Sequence, residues 1–289
     1  MPLDFSAPFT ERTPRIVAAA KLHRPAARRK VRAFLVEGEN AVEAAVTTGS
    51  ATDVYVTERA AHRCAEIVKS AQYLNVYVHP ISDKAARSLT DMVTPTGIFA
   101  VCSPVLWPMR RALASSPRLV SVPVATADPG NAGTLIRVSD AVGADAVVFA
   151  GETVDPQGAK VVRASAGSLF HLPVVREPMV EAVLDSLRDR GLQILATAAD
   201  GEVDLDHAED LLAAPTAWLF GNEAHGLGKE LLAQADHRVR IPLRGRAESL
   251  NLATAASICL YESARAQARA AGYTELVNLE EKAERVHGG

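Results

Sequence analysis

Residues 238–262 read RVRIPLRGRAESLNLATAASICLYE, and this stretch decides the fold. Val239 and Ile241 alternate with two arginines, which predicts a short strand that Pro242 ends. Polar capping residues follow, and an alanine-rich sequence then predicts a long helix over 252–271. A strand end, a polar turn and a capped helix therefore meet in one corner. Such a meeting of polar side chains and free backbone groups predicts a ligand site.

The composition is that of a globular protein with two cores. The chain has 289 residues, of which 48% are hydrophobic and 22% are charged. No apolar run approaches the ~20 residues needed to span a bilayer, and the N-terminus lacks the apolar segment of a secretory signal. Cys64, Cys102 and Cys259 are far apart and lack CxxC spacing. We therefore expect reduced thiols in a cytoplasmic protein.

Charge is distributed unevenly along the chain. The net charge of -3, taken alone, argues against a nucleic-acid partner. Residues 12–32, however, contain eight basic side chains and no acid. A solvated, partly helical arm is one interpretation of such a run, and an electrostatic footprint for phosphates is the other. We favour the second and predict a basic N-terminal arm over residues 1–30. The candidate contacts in and next to this arm are Arg24, Arg28, Arg29, Lys30 and Arg32.

The rest of the chain divides into two α/β units. Residues 31–103 alternate four apolar strands with helical stretches, which predicts a small domain of helices on a sheet. Residues 104–117 contain proline, serine and an arginine pair, and we interpret them as a linker. Residues 118–289 repeat strand, turn and helix, and the apolar strands are typical of a parallel sheet covered on both faces. Its predicted strands are 119–125, 146–149, 172–175, 193–198, 217–220 and 238–241.

Two further strand ends carry polar motifs. Residues 128–137 read DPGNAGTLIR, where Asn131 can cap a helix and Arg137 lies about one and a half turns beyond it. Residues 220–229 read FGNEAHGLGK, and Gly221 directly after a strand suggests a backbone pressed against a ligand. Ligands of parallel sheets bind at the carboxyl ends of strands. These loops and the opening stretch therefore predict one site.

Other chemistries lack their motifs. The loop at 220–229 does not match a Walker phosphate loop, and no GxGxxG follows the first strand of the second unit. A nucleotide-dependent oxidoreductase is therefore poorly supported. HExxH, GxSxG and Cys/His clusters with metal spacing are absent as well, and no metal is predicted. His171 and His225 are interpreted as structural or surface residues.

Taken together, the three loops resemble the three motifs of the SpoU branch of the SPOUT methyltransferases. The matching residues are NxGxxxR at 131–137, FGNExxGL at 220–227 and IPLxGxxESLN at 241–251. The resemblance extends over about residues 119–271 and includes a further similar segment at 162–170. Enzymes of this branch transfer a methyl group from S-adenosylmethionine to ribose 2′-hydroxyls of tRNA or rRNA.

The smaller unit resembles a second part of the same family, with less specific residues. Residues 32–101 are similar, mainly through Val36-Glu37-Gly38, to the substrate-binding domain that precedes the catalytic domain in many members. The resemblance implies a SPOUT α/β domain with a parallel sheet and a trefoil knot, preceded by a small α/β domain that binds RNA. It also implies S-adenosylmethionine as cofactor and a homodimer whose pocket draws on both subunits.

Site residues follow from the resemblance, position by position. The expected reaction centre consists of Asn131, Arg137, Glu223, Ser249 and Asn251. The expected cofactor contacts are Thr197, Ala198, Gly221, Ile241, Leu243 and Leu250. Arg244 and Arg246, in the turn before the long helix, are candidate contacts to the RNA backbone.

The role of Arg137 has two interpretations. Arg137 acts either as the base that removes the hydroxyl proton or as a charged group that grips a phosphate and stabilises the developing alkoxide. We favour the second, because a neutral arginine costs ~8 kcal/mol at neutral pH. In that interpretation Glu223 orients Arg137, while Ser249 and Asn251 position the ribose.

The resemblance leaves the target open between two RNA classes. An rRNA target is favoured over tRNA for a two-domain member with a basic arm. The alternatives are a tRNA 2′-O-methyltransferase and a non-catalytic RNA-binding protein on the same fold. The intact motif set argues against the non-catalytic protein.

Overall fold

A computed structural model describes residues 3–222 and 225–272 of the chain. The first unit contains a four-stranded sheet in the order β1-β4-β2-β3, in which β4 pairs antiparallel with β1 and β2, and β2 pairs parallel with β3. The four predicted strands are thereby confirmed. They are β1 (Phe34–Glu37), β2 (Ala51–Val56), β3 (Tyr77–Pro80) and β4 (Ile98–Cys102).

Helices cover both faces of this sheet, and the first two lie within the expected basic arm. Ile16, Ala19 and Leu22 recur at helical spacing between the basic residues, and all three are buried against the sheet. The segment 14–31 is therefore part of the small domain rather than a free arm. The helices of this unit are α1 (Pro14–Ala20), α2 (Pro25–Val31), α3 (Glu39–Thr47), α4 (Glu58–Arg63), α5 (Ala65–Tyr73) and α6 (Asp83–Ser88).

The second unit contains a seven-stranded parallel sheet in the order β7-β6-β5-β10-β8-β11-β9. Six of these strands were expected from the sequence. The seventh, β9, has only two residues and lies at the edge. The strands are β5 (Leu119–Pro123), β6 (Ala146–Ala150), β7 (Val174–Glu177), β8 (Gln193–Thr197), β9 (Val203–Asp204), β10 (Thr216–Phe220) and β11 (His237–Arg240).

Helices lie on both sides of this sheet, as the apolar strands predicted. Gly133 allows two of them to approach closely, because a Cβ there would lie 2.4 Å from Cβ of Ala164. The helices are α7 (Met109–Ala112), α8 (Pro129–Ala141), α9 (Ala159–Ser165), α10 (Val180–Arg188), α11 (Glu209–Leu212), α12 (Lys229–Leu232) and α13 (Leu252–Ala270).

The path from β10 to α13 crosses the sheet and returns. β10 lies between β5 and β8, and β11 lies beyond β8. The chain then comes back, and α13 packs on α8, β5 and β10. This return places the last helix beside β5 and β10, which precede β11 in the chain. It also carries the turn at 241–251 past the ends of β8 and β10.

The two units share one hydrophobic core. Phe34 and Val36 of the small sheet belong to the same buried cluster as Ile136 and Val161 of α8 and α9. The expected linker is also packed, since Ala112 and Leu113 are buried against the second sheet. The apolar residues of 104–117 are too few to show a clear period, so the sequence predicted a linker where the structure has a packed segment.

An ion pair also joins the two units. Nε and Nη2 of Arg28 donate to Oδ2 of Asp155 at 3.0 and 2.6 Å, and Nη1 donates to the carbonyls of Leu22 and His23. The Arg28 side chain is 7% exposed. Arg28 was expected to contact RNA, and its buried position contradicts that expectation. The neighbouring Arg29 is exposed instead.

A second polar contact across the interface involves Arg163 of α9. Its guanidinium donates to Asp91 at 2.8 Å and approaches the buried Glu37 at 3.4 Å. The Glu37 carboxylate also accepts from the hydroxyl of Thr90 at 2.6 Å. Residues 91–94 are exposed, and Asp91 anchors their segment to the second unit. Within the described ranges, no helix is long and apolar enough to cross a membrane.

Removal of the Arg28 guanidinium should destabilise the whole chain. Arg28→Ala leaves the Asp155 carboxylate and two carbonyls without their donor. Breaking a buried pair costs ~3–5 kcal/mol, and we expect about 2–4 kcal/mol here because Asp155 is partly exposed. Urea denaturation measures this loss. The matched control is Arg29→Ala on the exposed side of α2, which should change the free energy of unfolding by less than ~0.5 kcal/mol. Equal effects of the two variants would contradict the assignment.

Candidate active site

Three loops meet at the carboxyl edge of the parallel sheet. They follow β5, β10 and β11, and they contain the three motifs recognised in the sequence. The strand order places β5 next to β10, and only β8 separates β10 from β11, so the loops come from nearby positions. This edge is where parallel sheets bind ligands.

A cavity of about 690 Å³ opens between the loops after β10 and β11 and the end of β8. Its walls combine backbone groups with apolar side chains, and two carboxylates, Asp204 and Glu248, lie on its lining. Ser249, expected in the reaction centre, also lines it. All six residues expected to contact the cofactor line the cavity: Thr197, Ala198, Gly221, Ile241, Leu243 and Leu250.

Asn251 connects the third loop with the first. Its Oδ1 accepts from the backbone N–H groups of Ala253 at 2.9 Å and Thr254 at 3.3 Å, which caps α13. Its Nδ2 donates to Oδ1 of Asn131 at 2.9 Å. Two of the expected reaction-centre residues, 120 positions apart in the chain, are therefore in direct contact.

The start of α8 differs from the expectation for Asn131. The N-cap is Asp128, whose Oδ1 accepts from the backbone N–H of Asn131 at 2.7 Å. Asn131 is the third residue of the helix, since Pro129 is favourable at the first helical position. Its side chain is thus not used as a cap and is available for the contact with Asn251.

Asn222 connects the second loop with the first. Its Nδ2 donates to the carbonyl of Ala125 at 2.7 Å. Ala125 has φ of 49°, the left-handed region that costs an alanine roughly 1–2 kcal/mol. The backbone of Asn222 pairs with Gly226 in both directions, at 2.8 and 3.2 Å, so the donor is itself held in place. Asn222 was not identified as a site residue, because its role depends on a strained residue 97 positions away.

The requirement for glycine at 221 has a different cause from the one expected. A Cβ there would lie 2.4 Å from the carbonyl carbon of Gly226 and 2.5 Å from the nitrogen of Leu227. The close approach is therefore to the second loop itself, although Gly221 also lines the cavity. Any larger residue would push this loop away from β10.

One expected catalytic residue, Arg137, is not assembled with the others. Arg137 is exposed and, among the described residues, forms no hydrogen bond or ion pair. On α8 it lies six residues after Asn131, about 9 Å further along the axis and roughly 120° around it. Arg137 is also not part of the cavity lining. Glu223, another expected residue, lies outside the described residues.

Acidic residues on the edge strand neutralise the arginines of β11. Glu202 binds Arg238 at 2.8 Å, Asp204 binds Arg240 at 3.1 Å, and Asp206 binds Arg244. The backbone N–H of Asp206 is the main cause of the lowered pKa of Asp204, and Arg240 lowers it further. Asp204 therefore carries its negative charge at the cavity wall at neutral pH.

The edge strand was not recognised because two residues are too few to show a period. Its charge pattern was available in the sequence, however. Acids at 202, 204 and 206 have the same spacing of two as the arginines at 238 and 240. Such matched alternation is typical of neighbouring strands. Arg244, expected to contact RNA, is 78% exposed but already paired, whereas Arg246 is exposed.

Comparison with known proteins gives a consistent result for both units. Residues 118–261 match the SpoU rRNA Methylase family, and residues 13–100 match the MRM3-like substrate binding domain. The 23S rRNA (guanosine(2553)-2'-O)-methyltransferase RlmP of Bacillus subtilis is 35% identical over 242 residues, which cover 83% of this chain and 92% of that protein.

Two solved structures share the fold over both units. The AdoMet-bound rRNA methyltransferase from Sinorhizobium meliloti has a TM-score of 0.78 at 30% identity, covering 89% of this chain and 97% of that one. The SpoU methyltransferase AviRb from Streptomyces viridochromogenes, in complex with AdoMet, has a TM-score of 0.77 at 28% identity, with coverage of 88% and 98%. The expected fold class, a SPOUT domain preceded by a small α/β domain, is confirmed.

The hydrogen bond from Asn222 to Ala125 should hold the first loop in its active shape. Asn222→Ala removes the donor and lets Ala125 relax out of the left-handed region, which should lower the rate of methyl transfer by about tenfold, the equivalent of ~1.4 kcal/mol. Asn222→Asp keeps the size of the side chain but has no N–H group to donate, and its rate should fall as that of Asn222→Ala does. Ala125→Gly, which removes the strain, should leave the wild-type rate nearly unchanged and restore most of the rate to Asn222→Ala. Failure of that double variant to recover would contradict the proposed role.

Proposed function

This chain belongs to the SpoU rRNA methylase family, and we propose which of its residues carry out the reaction of that family. The protein is an S-adenosylmethionine-dependent RNA methyltransferase that transfers a methyl group to a ribose 2′-hydroxyl, and rRNA is its favoured target. The observation that carries the residue assignment is the contact between Asn131 and Asn251 beside the cavity. It joins the first and third motifs at the place where the cofactor would bind.

The cavity has properties that suit S-adenosylmethionine. Its volume of about 690 Å³ lies within the roughly 300–1,000 Å³ of small-molecule sites. Ile241, Leu243 and Leu250 provide apolar wall for a purine ring, and backbone groups at 197–198 and 221 offer donors and acceptors. The carboxylates of Asp204 and Glu248 suit a ligand that carries positive charge. When bound, this cofactor supplies an electrophilic methyl group on a sulfonium.

The reaction centre must hold the ribose hydroxyl in line with that methyl group. We assign this positioning to Ser249, at the cavity, and to the amides of Asn131 and Asn251. One amide proton of Asn251 is bound to Asn131, and its oxygen caps α13. The amide is therefore fixed in orientation, as a positioning group should be.

Arg137 is proposed as a charged group rather than a base. A guanidinium stays protonated in proteins and presents five donors that match phosphate geometry. Arg137 is exposed and makes no ion pair within the described part of the chain, so its charge is available to RNA. It would bind the phosphate next to the reacting ribose and stabilise the oxygen, whose proton passes to solvent water while the methyl group leaves the sulfonium. Glu223, the proposed partner of Arg137, lies outside the described residues.

A homodimer would complete this centre. Arg137 points about 120° away from Asn131 around α8, so one chain does not direct both side chains to the same point. A second chain packed against this side of α8 would bring its own Arg137 towards the cavity. We therefore propose that the active unit is a homodimer, and sedimentation of the full chain should give twice the mass of one protomer.

The proposed RNA surface includes the exposed cations of the first helices. Unlike Arg28, they make no ion pair among the described residues, so their charges are available to phosphates. They are Arg24, Arg29, Lys30 and Arg32. Arg246 belongs to the same proposal next to the cavity, and Arg244 would join only on release of Asp206.

A cytoplasmic location is also proposed. Ribosomal and transfer RNAs are cytoplasmic substrates, and the three cysteines are free and buried. Burial raises the pKa of the Cys102 and Cys259 thiols, which keeps them protonated and unreactive. The earlier expectation of reduced thiols agrees with this proposal.

The reaction is tested by incubating the protein with labelled S-adenosylmethionine and separate rRNA and tRNA pools. We expect label in rRNA, mapped to one ribose. Arg137→Ala should reduce transfer at least 10²-fold and leave the Kd for cofactor, measured by calorimetry, within about twofold, because the residue contacts substrate only. Arg190→Ala, at another exposed arginine, serves as control and should keep wild-type activity. Loss of cofactor binding in Arg137→Ala would refute the assignment, and label in tRNA alone would refute the rRNA target.

RNA affinity should depend steeply on salt, because each neutralised phosphate releases a counterion. Arg29→Ala should weaken binding and reduce the slope of log K against log salt by roughly 0.7–0.9. Lys69→Ala removes a cation already paired with Glu66 and should leave the slope unchanged. A salt slope in Arg29→Ala equal to that of the wild type would exclude α2 from the RNA surface.

A further inference from the structure

A ladder of stacked rings lies at the free edge of the small sheet. His79 of β3 stacks between Phe9, at 5.0 Å between ring centroids and 22° between planes, and Tyr55, at 5.3 Å and 25°. Tyr77, two residues before His79, continues the ladder at 6.3 Å and 17°. Each of these three rings therefore lies within 25° of parallel to the ring of His79.

The position of Tyr77 leaves its ring open to solvent. Tyr77 and His79 point to the same face of β3, opposite to Val78, which packs against the main core of the domain. Tyr55 and His79 are cross-strand partners and lie deeper, whereas Tyr77 is 70% exposed. A ring so exposed contributes little to the core, so packing alone does not account for it.

The ladder nevertheless holds Tyr77 in a defined setting. The Nε2 atom of His79 bonds to Oδ1 of Asp53 at 2.8 Å, and Asp53 is the cross-strand partner of Tyr77. Asp53 also accepts from Arg15 at 3.0 Å and from the hydroxyl of Thr52 at 3.1 Å. The residues behind Tyr77 are thus fixed by hydrogen bonds, and its outer face remains free to receive another flat ring.

A cation lies beside this face. Arg15 of α1 donates Nη1 to Asp53, and its side chain remains 59% exposed. Arg12, just before the same helix, is exposed as well. An exposed aromatic ring next to arginines has the two features of a single-stranded nucleic-acid site, namely a stacking surface and a positive charge for the backbone. A protein partner would instead require a contiguous apolar patch without a preference for these charges.

We propose that Tyr77 stacks on an unpaired base of the substrate RNA. This inference rests on the proposed function, and it adds a second point of recognition away from the cavity. Bases in duplex RNA are covered by their neighbours, whereas bases in loops and bulges can be stacked on aromatic side chains. The substrate class is therefore RNA that carries an unpaired nucleotide in addition to the one methylated.

The test compares three variants on two RNA probes. The probes are a short single-stranded oligoadenylate and an RNA duplex of the same length, with Kd measured by fluorescence anisotropy. The wild type and Tyr77→Phe should prefer the single strand. Tyr77→Ala should weaken single-strand binding by about 5- to 150-fold, the equivalent of ~1–3 kcal/mol per stacked base, and leave duplex binding unchanged. With rRNA as substrate, its KM should rise while kcat at saturating RNA stays the same.

Tyr73 provides a matched control in the same domain. It is 86% exposed at the end of α5, and within the described ranges no ring stacks against it. Tyr73→Ala should therefore keep the single-strand affinity. Unchanged affinity in Tyr77→Ala, or an equal loss in Tyr73→Ala, would overturn the proposal. Thermal unfolding shows whether each variant is folded, and methyl transfer by the wild type tests the proposed function separately.

Discussion

The side-chain amide of Asn251 is the contact on which the site depends. The chain reaches this residue after it has crossed the sheet from β10 to β11. The same side chain both caps α13 and contacts the first loop. Its oxygen satisfies two N–H groups of the helix, and its nitrogen holds Asn131. Aspartate or serine could cap the helix, but neither could also donate an amide proton in this geometry. The starts of α8 and α13 are thereby fixed together, and the cavity lies beside that junction.

The rigidity of the junction depends on the common core of the two units. Arg28 connects α2 to Asp155, and Arg163 connects α9 to Asp91. Between them, Gly167 allows its segment to approach α3, because a Cβ would lie 2.9 Å from the carbonyl oxygen of Asn40. The small domain is therefore not loosely tethered, and any RNA that it binds is held at a defined distance from the cavity. A free linker would not provide such a fixed distance.

Most of the cavity was predictable from the sequence, since its walls come mainly from the second and third motifs and from the strand end at 197–198. Three features were not predictable, each for a physical reason. The strand β9 is too short to show a period, the apolar residues of α1 and α2 are obscured by the surrounding cations, and Asn222 acts on a strained alanine far away in the chain. The direction of Arg137 was predictable from helical geometry, because six residues separate it from Asn131. Within the described residues of one chain, Arg137 is therefore not brought together with Asn131 and Asn251.

Consecutive basic residues of α2 show how an acidic protein can present a basic surface. Arg28 points inwards and forms an ion pair with Asp155. Arg29 and Lys30 point outwards and have no acidic partner among the described residues. Elsewhere the acids are used in pairs, as on β9, where Glu202, Asp204 and Asp206 neutralise arginines of β11 and the following turn. The net charge of -3 averages over these compensated pairs and thus hides the local excess. Counterion release depends on phosphates near uncompensated cations, not on the sum over the chain. Which arginines the fold leaves unpaired therefore decides whether the protein can bind RNA phosphates. In α2, a helix of seven residues is enough to separate one structural arginine, Arg28, from its exposed neighbours.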